Sequence, residues 1–486
     1  MARQGQAEAG RSTLYEQVAG RIAGLIEQGT FAPGSRVPSV RALARQMEVS
    51  VSTVLEAYGY LEDQGLIEAR PQSGYYVKAR IPSPPAAPRI VRQMLSPTKV
   101  TTRDLSVMVM RDTILLNRIP LGAAIPNPEL LPAEKLSRML SAEARRHRAE
   151  TLAYDFPPGC KPLRVQIARR MLTAGCALDL DEIVTTSGCL EAVNLALRAI
   201  CRPGDIVAVE SPCYYNFLQA IEAMGLRALE IPSHPVHGMS LEALRYAIDH
   251  HPVRACVVVT NFSNPLGCLM PDDHKRELVE ILGARDIPLI EDDLIGDLSH
   301  SQHRPTVAKN YDRKGLVLLC SSFSKTLAPG YRVGWIAPGR FQDEVERQKA
   351  LANVATAMPT QLAIAEFLAN GGYDHHLRTV RRVYARQASL MADAVGRYFP
   401  PGTRVSSPAG GYVLWVECPE YVDVLKLYEL AIGAGITICP GPIFSARGKY
   451  GNCIRLNAAF WSPRVEQAVE TLGGFAAEMR NGKISS

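Results

Sequence analysis

Ser321-Ser-Phe-Ser-Lys-Thr-Leu-Ala-Pro-Gly-Tyr-Arg-Val-Gly-Trp335 follows a short apolar run, Leu316–Leu319, that reads as a buried strand. Small hydroxyls crowd one lysine, Lys325, and the Pro329-Gly330 turn can bring Arg332 back towards it. Such an amine can condense with an aldehyde, while Ser322, Ser324 and a guanidinium hold a dianionic phosphate. Pyridoxal phosphate carries both groups. On this stretch alone the other reading is a surface turn with an ordinary lysine, so the remainder of the chain has to decide.

At 486 residues the chain is too long for one typical domain and predicts two to four. Apolar residues make up 47% and charged residues 21%, which suffices for large cores. No run of about 18 uncharged apolar residues occurs, so neither a spanning helix nor a membrane partner is expected. The first thirty residues are charged throughout and lack the apolar stretch of a secretory signal. Eleven cysteines lie between Cys160 and Cys453, without a Cys-x-x-Cys pair. They fit reduced, buried thiols in a cytoplasm, and no metal is expected. The net charge of +6 permits an anionic partner without demonstrating one.

The first eighty residues carry three helical patterns and a hairpin. Apolar residues at 14, 18, 22, 25 and 26 mark one helical face. Ser39 caps a short helix over Val40–Met47, and after Glu48-Val-Ser50 a second runs to about Gln64 with Val54, Ala57, Tyr58 and Leu61 inward. Leu66–Arg70 and Tyr75–Lys78 bracket Pro71-Gln-Ser-Gly74 as a two-stranded hairpin. This is the plan of a winged helix-turn-helix, whose second motif helix enters the major groove. Arg36 suits a phosphate oxygen. The same stretch closely resembles the GntR-type winged helix, through Pro-Gly-Ser-Arg-Val-Pro-Ser-Val-Arg-Ala-Leu-Ala, Val-Ser-Val-Ser-Thr-Val and Leu-Glu-Asp-Gln-Gly-Leu-Ile. The resemblance implies double-stranded DNA as partner, with Arg41, Ser50, Ser52, Thr53 and Gly74 at DNA-contacting positions. Val51 and Leu55 stand where that family often has arginine, which weakens guanine readout and leaves Val51 to pack on a thymine methyl.

We place this domain at 11–79 and a proline-rich, basic linker at 80–105, with Arg89, Arg92, Lys99 and Arg103 uncompensated until Asp104. The linker either touches DNA phosphates or stays solvated, and the solvated state is the one expected. Met108–Leu116 reads as a helix that opens the next domain, 106–486, with a small subdomain from approximately 380.

From residue 120, helical patterns alternate with apolar strands at Ile183–Thr186, Ile206–Val209, Arg227–Ile231, Ala255–Thr260, Pro288–Ile290 and Leu316–Cys320. That alternation predicts an α/β layered domain with a mainly parallel central sheet and ligands at the carboxyl ends of its strands. Ser187-Gly188-Cys189 feeds a helix whose first amides can bind phosphate. Tyr214 can stack on a planar ring or pack in the core. Asn264 can bond a phenolic oxygen or form a turn. Asp292 at a buried strand end needs a partner such as a protonated pyridine nitrogen. Arg455, in the apolar run Cys453-Ile-Arg-Leu-Asn457, would be satisfied by a carboxylate or by a structural ion pair.

In order, Tyr154, Gly159, Leu163-Arg164, Ser187-Gly188, Pro212-Cys-Tyr214, Asn264-Pro-Leu-Gly267, Asp292, Ser322-Phe-Ser-Lys325, Arg332 and Arg455 resemble the class I/II aminotransferases of fold type I over roughly residues 110–480. The resemblance implies that Lys325 forms the Schiff base and that Asp292 pairs the pyridine nitrogen. It implies further that Asn264 bonds the ring oxygen, Tyr214 stacks on the ring and Arg455 holds a substrate carboxylate. Ser187, the Gly188 and Cys189 backbone, Ser322, Ser324 and Arg332 would take the phosphate. The family usually has a tyrosine two or three residues after the aspartate, where this chain has Leu294 and Ile295.

A GntR-type winged helix joined to such a domain resembles the MocR subfamily of transcription regulators. That resemblance implies a cytoplasmic, head-to-tail homodimer whose large domain senses pyridoxal phosphate or a small amino effector through Lys325. The alternative is a catalytically active, pyridoxal phosphate-dependent aminotransferase with an appended DNA-binding domain.

Overall fold

The computed structural model describes residues 13–27, 30–70, 73–78, 85–91, 95–100, 105, 107–109, 111 and 118–480. The chain divides into two compact units, Met1–Pro84 and Pro85–Ser486.

In the first unit α1 (Leu14–Glu27) buries Val18, Ile22 and Ile26 at four-residue spacing. The hydroxyl of Ser39 accepts from Ala42 N and so caps α2 (Val40–Gln46). Ser50 caps α3 (Val51–Asp63) in the same way, accepting from Thr53 N at 3.0 Å. Val54, Ala57, Tyr58 and Leu61 of α3 share one core with Leu43, Ile67 and Val77. The Tyr58 hydroxyl escapes that apolar setting by donating to Pro38 O at 2.6 Å. At Gly65 the chain takes a φ of +72°, a left-handed turn that leads into β1 (Ile67–Arg70), which pairs antiparallel with β2 (Gly74–Val77). Pro71 and Gln72 of the expected turn lie outside the described residues, as do Arg92, Arg103 and Asp104 of the linker.

The second unit holds an eight-stranded sheet made of β3 (Val184–Thr186), β4 (Ile206–Ser211), β5 (Arg227–His234), β6 (Gly238–Met239), β7 (Val253–Val258), β8 (Leu289–Asp292), β9 (Val317–Ser322) and β10 (Gly334–Ala337). The spatial order is β3-β10-β9-β8-β7-β4-β5-β6. Five central neighbours are parallel, and all six strands expected from the sequence take part. β10 was not among them. It runs antiparallel to both β9 and β3 and is formed by the end of the lysine-bearing stretch, so that stretch is a strand–turn–strand. Helix α4 (Cys189–Ile200) starts directly after β3 and packs against α5 (Gln342–Asn353).

A second layer follows the long helix α6 (Gly372–Tyr398). Strands β11 (Arg404–Val405), β12 (Val413–Glu417), β13 (Cys439–Pro440) and β14 (Cys453–Asn457) form an antiparallel sheet in the order β11-β12-β14-β13. It shares a core with α6 and α7 (Pro463–Arg480). All eleven cysteines are unpaired and buried. No helix among the described residues is long and apolar enough to cross a membrane.

The proline-rich stretch departs from expectation. From Pro85 its described backbone is tied to the second unit rather than solvated. Ala86 O accepts from Val405 N at 2.9 Å, Arg89 N donates to Glu417 at 2.7 Å, and Thr98 exchanges two backbone hydrogen bonds with Ala228. Arg447 donates to Thr98 and to Ser96 O. The expected helix at Met108–Leu116 falls mostly outside the described residues, although Val107–Val109 and Arg111 are helical.

Leu61 is fully buried at the centre of the winged unit. Leu61→Ala is expected to cost about 2–5 kcal/mol there. In urea, helical dichroism from this unit should be lost earlier while cofactor absorbance in the second unit melts where it did before.

Candidate functional site

The carboxyl ends of β8 and β9 set the centre of the site. Their parallel register puts Asp292 beside Cys320, five residues before Lys325. Asp292 is 5% exposed, accepts from Leu294 N at 2.8 Å, lies near the Cys189 thiol, and forms no ion pair among the described residues. Burial pushes its carboxyl up to about 6, against the pull of the Leu294 N–H. Lys325 is partly buried, and its ammonium donates to Ala124 O at 2.6 Å. Burial, reinforced by Arg455, lowers its amine to about 8.

The turn after β9 builds an anion cradle. Arg332 adopts a left-handed backbone (φ +52°), which swings its guanidinium back onto the turn. There it donates to Ser324 Oγ at 3.4 Å and to Ser187 O at 3.0 Å, while Ser322 Oγ accepts from Ser324 N. Two glycines make room for this. A Cβ on Gly188 would stand 2.5 Å from Arg332 Nη2, and one on Gly334 would stand 2.6 Å from the Gly188 carbonyl carbon. Gly188 and Cys189 also begin α4, so their amides lie at a helix N-terminus.

Ser187 shows a layer that the sequence reading missed. Its amide donates to Glu191, and its hydroxyl accepts from Asn353 at 3.3 Å. Glu191 is held in turn by the buried Lys349 at 3.0 Å, which also donates to Thr356. An acidic residue in the first turn of the helix was the available signal. Its partners on α5, more than 150 residues away, were not deducible.

Arg455 is fully buried on β14. It donates to Asn264 Oδ1 at 2.9 Å and to Gly122 O at 2.5 Å, its Nε has no partner, and it lies over the rings of Phe444 and Tyr215. Asn264 is thus joined to the arginine, and no acid pairs with it among the described residues. Asn457, two residues on, donates to Ala123 O and Ile125 O, so β14 side chains hold the segment that carries Ala124. That segment was also missed. Tyr214 stands against Tyr215 and Phe217, accepts from Asn216 and feels the charges of Arg455 and Asp292. Leu294 and Ile295 pack into apolar clusters and offer no hydroxyl.

These residues fit pyridoxal phosphate. A buried carboxylate lacks a cation, a lysine amine is held near neutrality, and a guanidinium–serine cradle closes on two obligatory glycines. Arg455 keeps an unpartnered buried N–H beside them.

On the winged unit Arg36 is exposed, bridges to Tyr76 and lies against Gly74, where a Cβ would stand 3.2 Å from its guanidinium. Gly74 has φ +108°. Arg41 is exposed on α2, and Ser50 Oγ lies 2.7 Å from both Ser52 Oγ and Thr53 Oγ1 at the start of α3. The six expected contact residues therefore sit on α2, the α3 start, the approach to α2 and the wing.

The family described as Aminotransferase class I and II matches residues 123–472, and Bacterial regulatory proteins, gntR family, matches residues 14–77. YjiR of Escherichia coli K12, an uncharacterized HTH-type transcriptional regulator, is 40% identical over 462 residues, 95% of this chain and 98% of its own. YdcR of the same organism, described alike, is 38% identical over 472 residues, 96% and 99% of the two chains. The structure of LysN, alpha-aminoadipate aminotransferase from Thermus thermophilus complexed with N-(5'-phosphopyridoxyl)-L-leucine, is similar with a TM-score of 0.72 at 26% identity, covering 77% of this chain and 95% of that one. Pyridoxal phosphate is the cofactor of the second unit.

Condensation needs a neutral amine, and the amine of Lys325 is lowered to about 8. Below that pH the uptake rate of pyridoxal phosphate should fall about tenfold per pH unit, and above it the rate should flatten. Stopped-flow absorbance of the bound cofactor measures this. An unperturbed lysine would keep rising towards pH 10.5. Gly188→Ala meets Arg332 and a backbone (φ +98°, ψ 167°) open only to glycine. It should weaken cofactor binding by about 1–3 kcal/mol, read by equilibrium dialysis.

Proposed function

The chain belongs to the MocR-type members of the gntR family of bacterial regulators, with a class I and II aminotransferase domain after the winged helix, and from that membership we propose that it is a DNA-binding transcription regulator governed by a small amino effector. The observation that carries the reading is the pairing of two intact half-sites in one chain: a capped α3 on a winged helix, and Lys325 with Asp292 over a phosphate cradle. Pyridoxal phosphate, when bound, supplies an aldehyde that captures primary amines and a ring that withdraws electrons.

The residues divide that work. Lys325 presents the resident amine, and its low basicity lets an incoming amine compete with it near neutral pH. Asp292 offers a buried negative charge to the pyridine nitrogen. Ser322, Ser324, Arg332 and the amides of Gly188 and Cys189 take the phosphate, with Ser187 fixed by Glu191 and Asn353. Tyr214 would stack on the ring, and Asn264, which accepts from Arg455, would also serve the ring oxygen. Arg455 receives the carboxylate of the effector, exchanging Gly122 O for it. That exchange loosens one of the ties between β14 and the segment around Gly122, while Asn457 keeps Ala123 and Ile125 in place.

Leu294 and Ile295 favour sensing over turnover, because no phenol stands where it would tune the basicity of the captured amine. The full-length relatives named as regulators favour the same side, and a working aminotransferase is the less favoured reading. We place the protein in the cytoplasm as a head-to-tail homodimer. Arg36, Arg41, Ser50, Ser52, Thr53 and Gly74 hold the DNA backbone in this reading.

Lys325→Ala should abolish the visible absorbance of the bound cofactor and the response to amines, while operator affinity without effector stays within about threefold. Footprinting and anisotropy on the promoter beside its own gene measure both. Loss of operator binding by a folded Lys325→Ala chain would count against separate sensing and DNA-binding units.

A further inference from the structure

Helix α3 has the sequence Val-Ser-Thr-Val-Leu-Glu-Ala-Tyr-Gly-Tyr-Leu-Glu-Asp, with three acidic residues and neither lysine nor arginine. A helix without a cation cannot make the bidentate arginine or lysine contact to guanine O6 and N7. The cations of the winged unit lie elsewhere. Among the described residues Arg21 is on α1, Arg36 is beside the wing, Arg41 and Arg45 are on α2, Lys78 follows β2, and Arg70 is tied to Glu68 over the ring of Tyr76. They can grip phosphates, but α3 itself must read bases with something else.

What α3 presents is apolar. Val54, Ala57, Tyr58 and Leu61 are spent on the core, whereas Val51 and Leu55 are each 48% exposed. Besides Leu14 at the start of α1 and Tyr60, which rests against Tyr15, they are the large apolar side chains that this unit leaves in water among the described residues. Four residues apart, they lie on one side of the helix, flanked by the hydroxyls of Ser50, Ser52 and Thr53.

We propose that Val51 and Leu55 together recognise thymine through its 5-methyl group, so that base readout by this chain is apolar. The proposal rests on the DNA-binding reading above and extends the expectation for Val51 to a pair. One helical turn separates the two side chains by about 6 Å along the axis, close to two base-pair steps of about 3.4 Å. Each half-site should therefore carry two thymines within about two base pairs of one another. Ser52 and Glu56, exposed on the same helix, remain for polar contacts, the carboxylate suiting a cytosine amino group.

The test uses the full cofactor-loaded chain on its footprinted operator, replacing each thymine in turn by deoxyuridine, which deletes the methyl alone. Two positions per half-site should lose about fourfold in affinity each, the worth of one buried methyl. Val51→Ala should erase the penalty at one of them and Leu55→Ala at the other. Both side chains are half-exposed, and helical dichroism checks that the variants are folded. Indifference to every uracil substitution overturns the proposal, as do penalties that survive in both alanine variants. If the wild-type chain binds no duplex at all, the DNA-binding reading falls first and takes the proposal with it.

Discussion

Two ionisable groups kept from water at neighbouring strand ends determine most of what the second unit can do. β8 ends on Asp292, the parallel register sets it beside Cys320 of β9, and the turn after β9 carries Lys325 five residues on. A charge in such a place is tolerated only with a partner, or the group shifts towards its neutral form. Both do the latter, the acid rising to about 6 and the amine falling to about 8. The next residue differs in its partners, although burial raises its carboxyl as well. Asp293 is as buried as Asp292, yet Arg304 joins it to Asp297, and Arg170 and Tyr373 complete the set. That network is satisfied within the protein and is structural. Asp292 is left for something that arrives.

The sequence showed the parts whose logic is local. Helix caps at Ser39 and Ser50, the inward residues of α3 and six strands of the sheet follow from periodicity and turn chemistry, and the structure has them. Strand ends also exposed the main site residues, because a charged or hydroxylic residue after an apolar run has few bland explanations. What stayed hidden depends on distant pairs. β10 was unreadable because Gly334–Ala337 is short and owes its place to hydrogen bonds with β3 and β9. Glu191 gains meaning only from Lys349 and Asn353. The linker looked free because prolines forbid ladders, yet carbonyls need no N–H of their own to accept from Val405 and Arg404.

The winged unit separates two tasks that many DNA readers combine in one side chain. Its exposed cations lie off α3, so in the reading proposed above charge-driven affinity comes from other elements, while α3 adds only hydroxyls to the backbone and apolar contact to the bases. Salt then weakens binding without altering preference. The three acidic residues of α3 also oppose close approach of the helix to phosphate, leaving apolar contact and hydroxyls to favour the groove floor.

In the reading proposed above, the signal that Arg455 passes on is modest. In this structure it is already served by Asn264 and Gly122, so a carboxylate does not rescue an unpaired charge. It only replaces neutral acceptors by an ionised one. Because the guanidinium is ionised, its present bonds are already charge-assisted, about 1.5–3 kcal/mol each, so a carboxylate in place of Gly122 O would add only a fraction of that. The larger gain would lie at the unpartnered Nε, where one new bond to an ionised oxygen, about 1.5–3 kcal/mol, suffices for the about 1.4 kcal/mol that changes an equilibrium about tenfold. A regulator needs no more than this. The partners that keep Arg455 satisfied at rest also keep the switch reversible, because the protein loses little when the effector leaves.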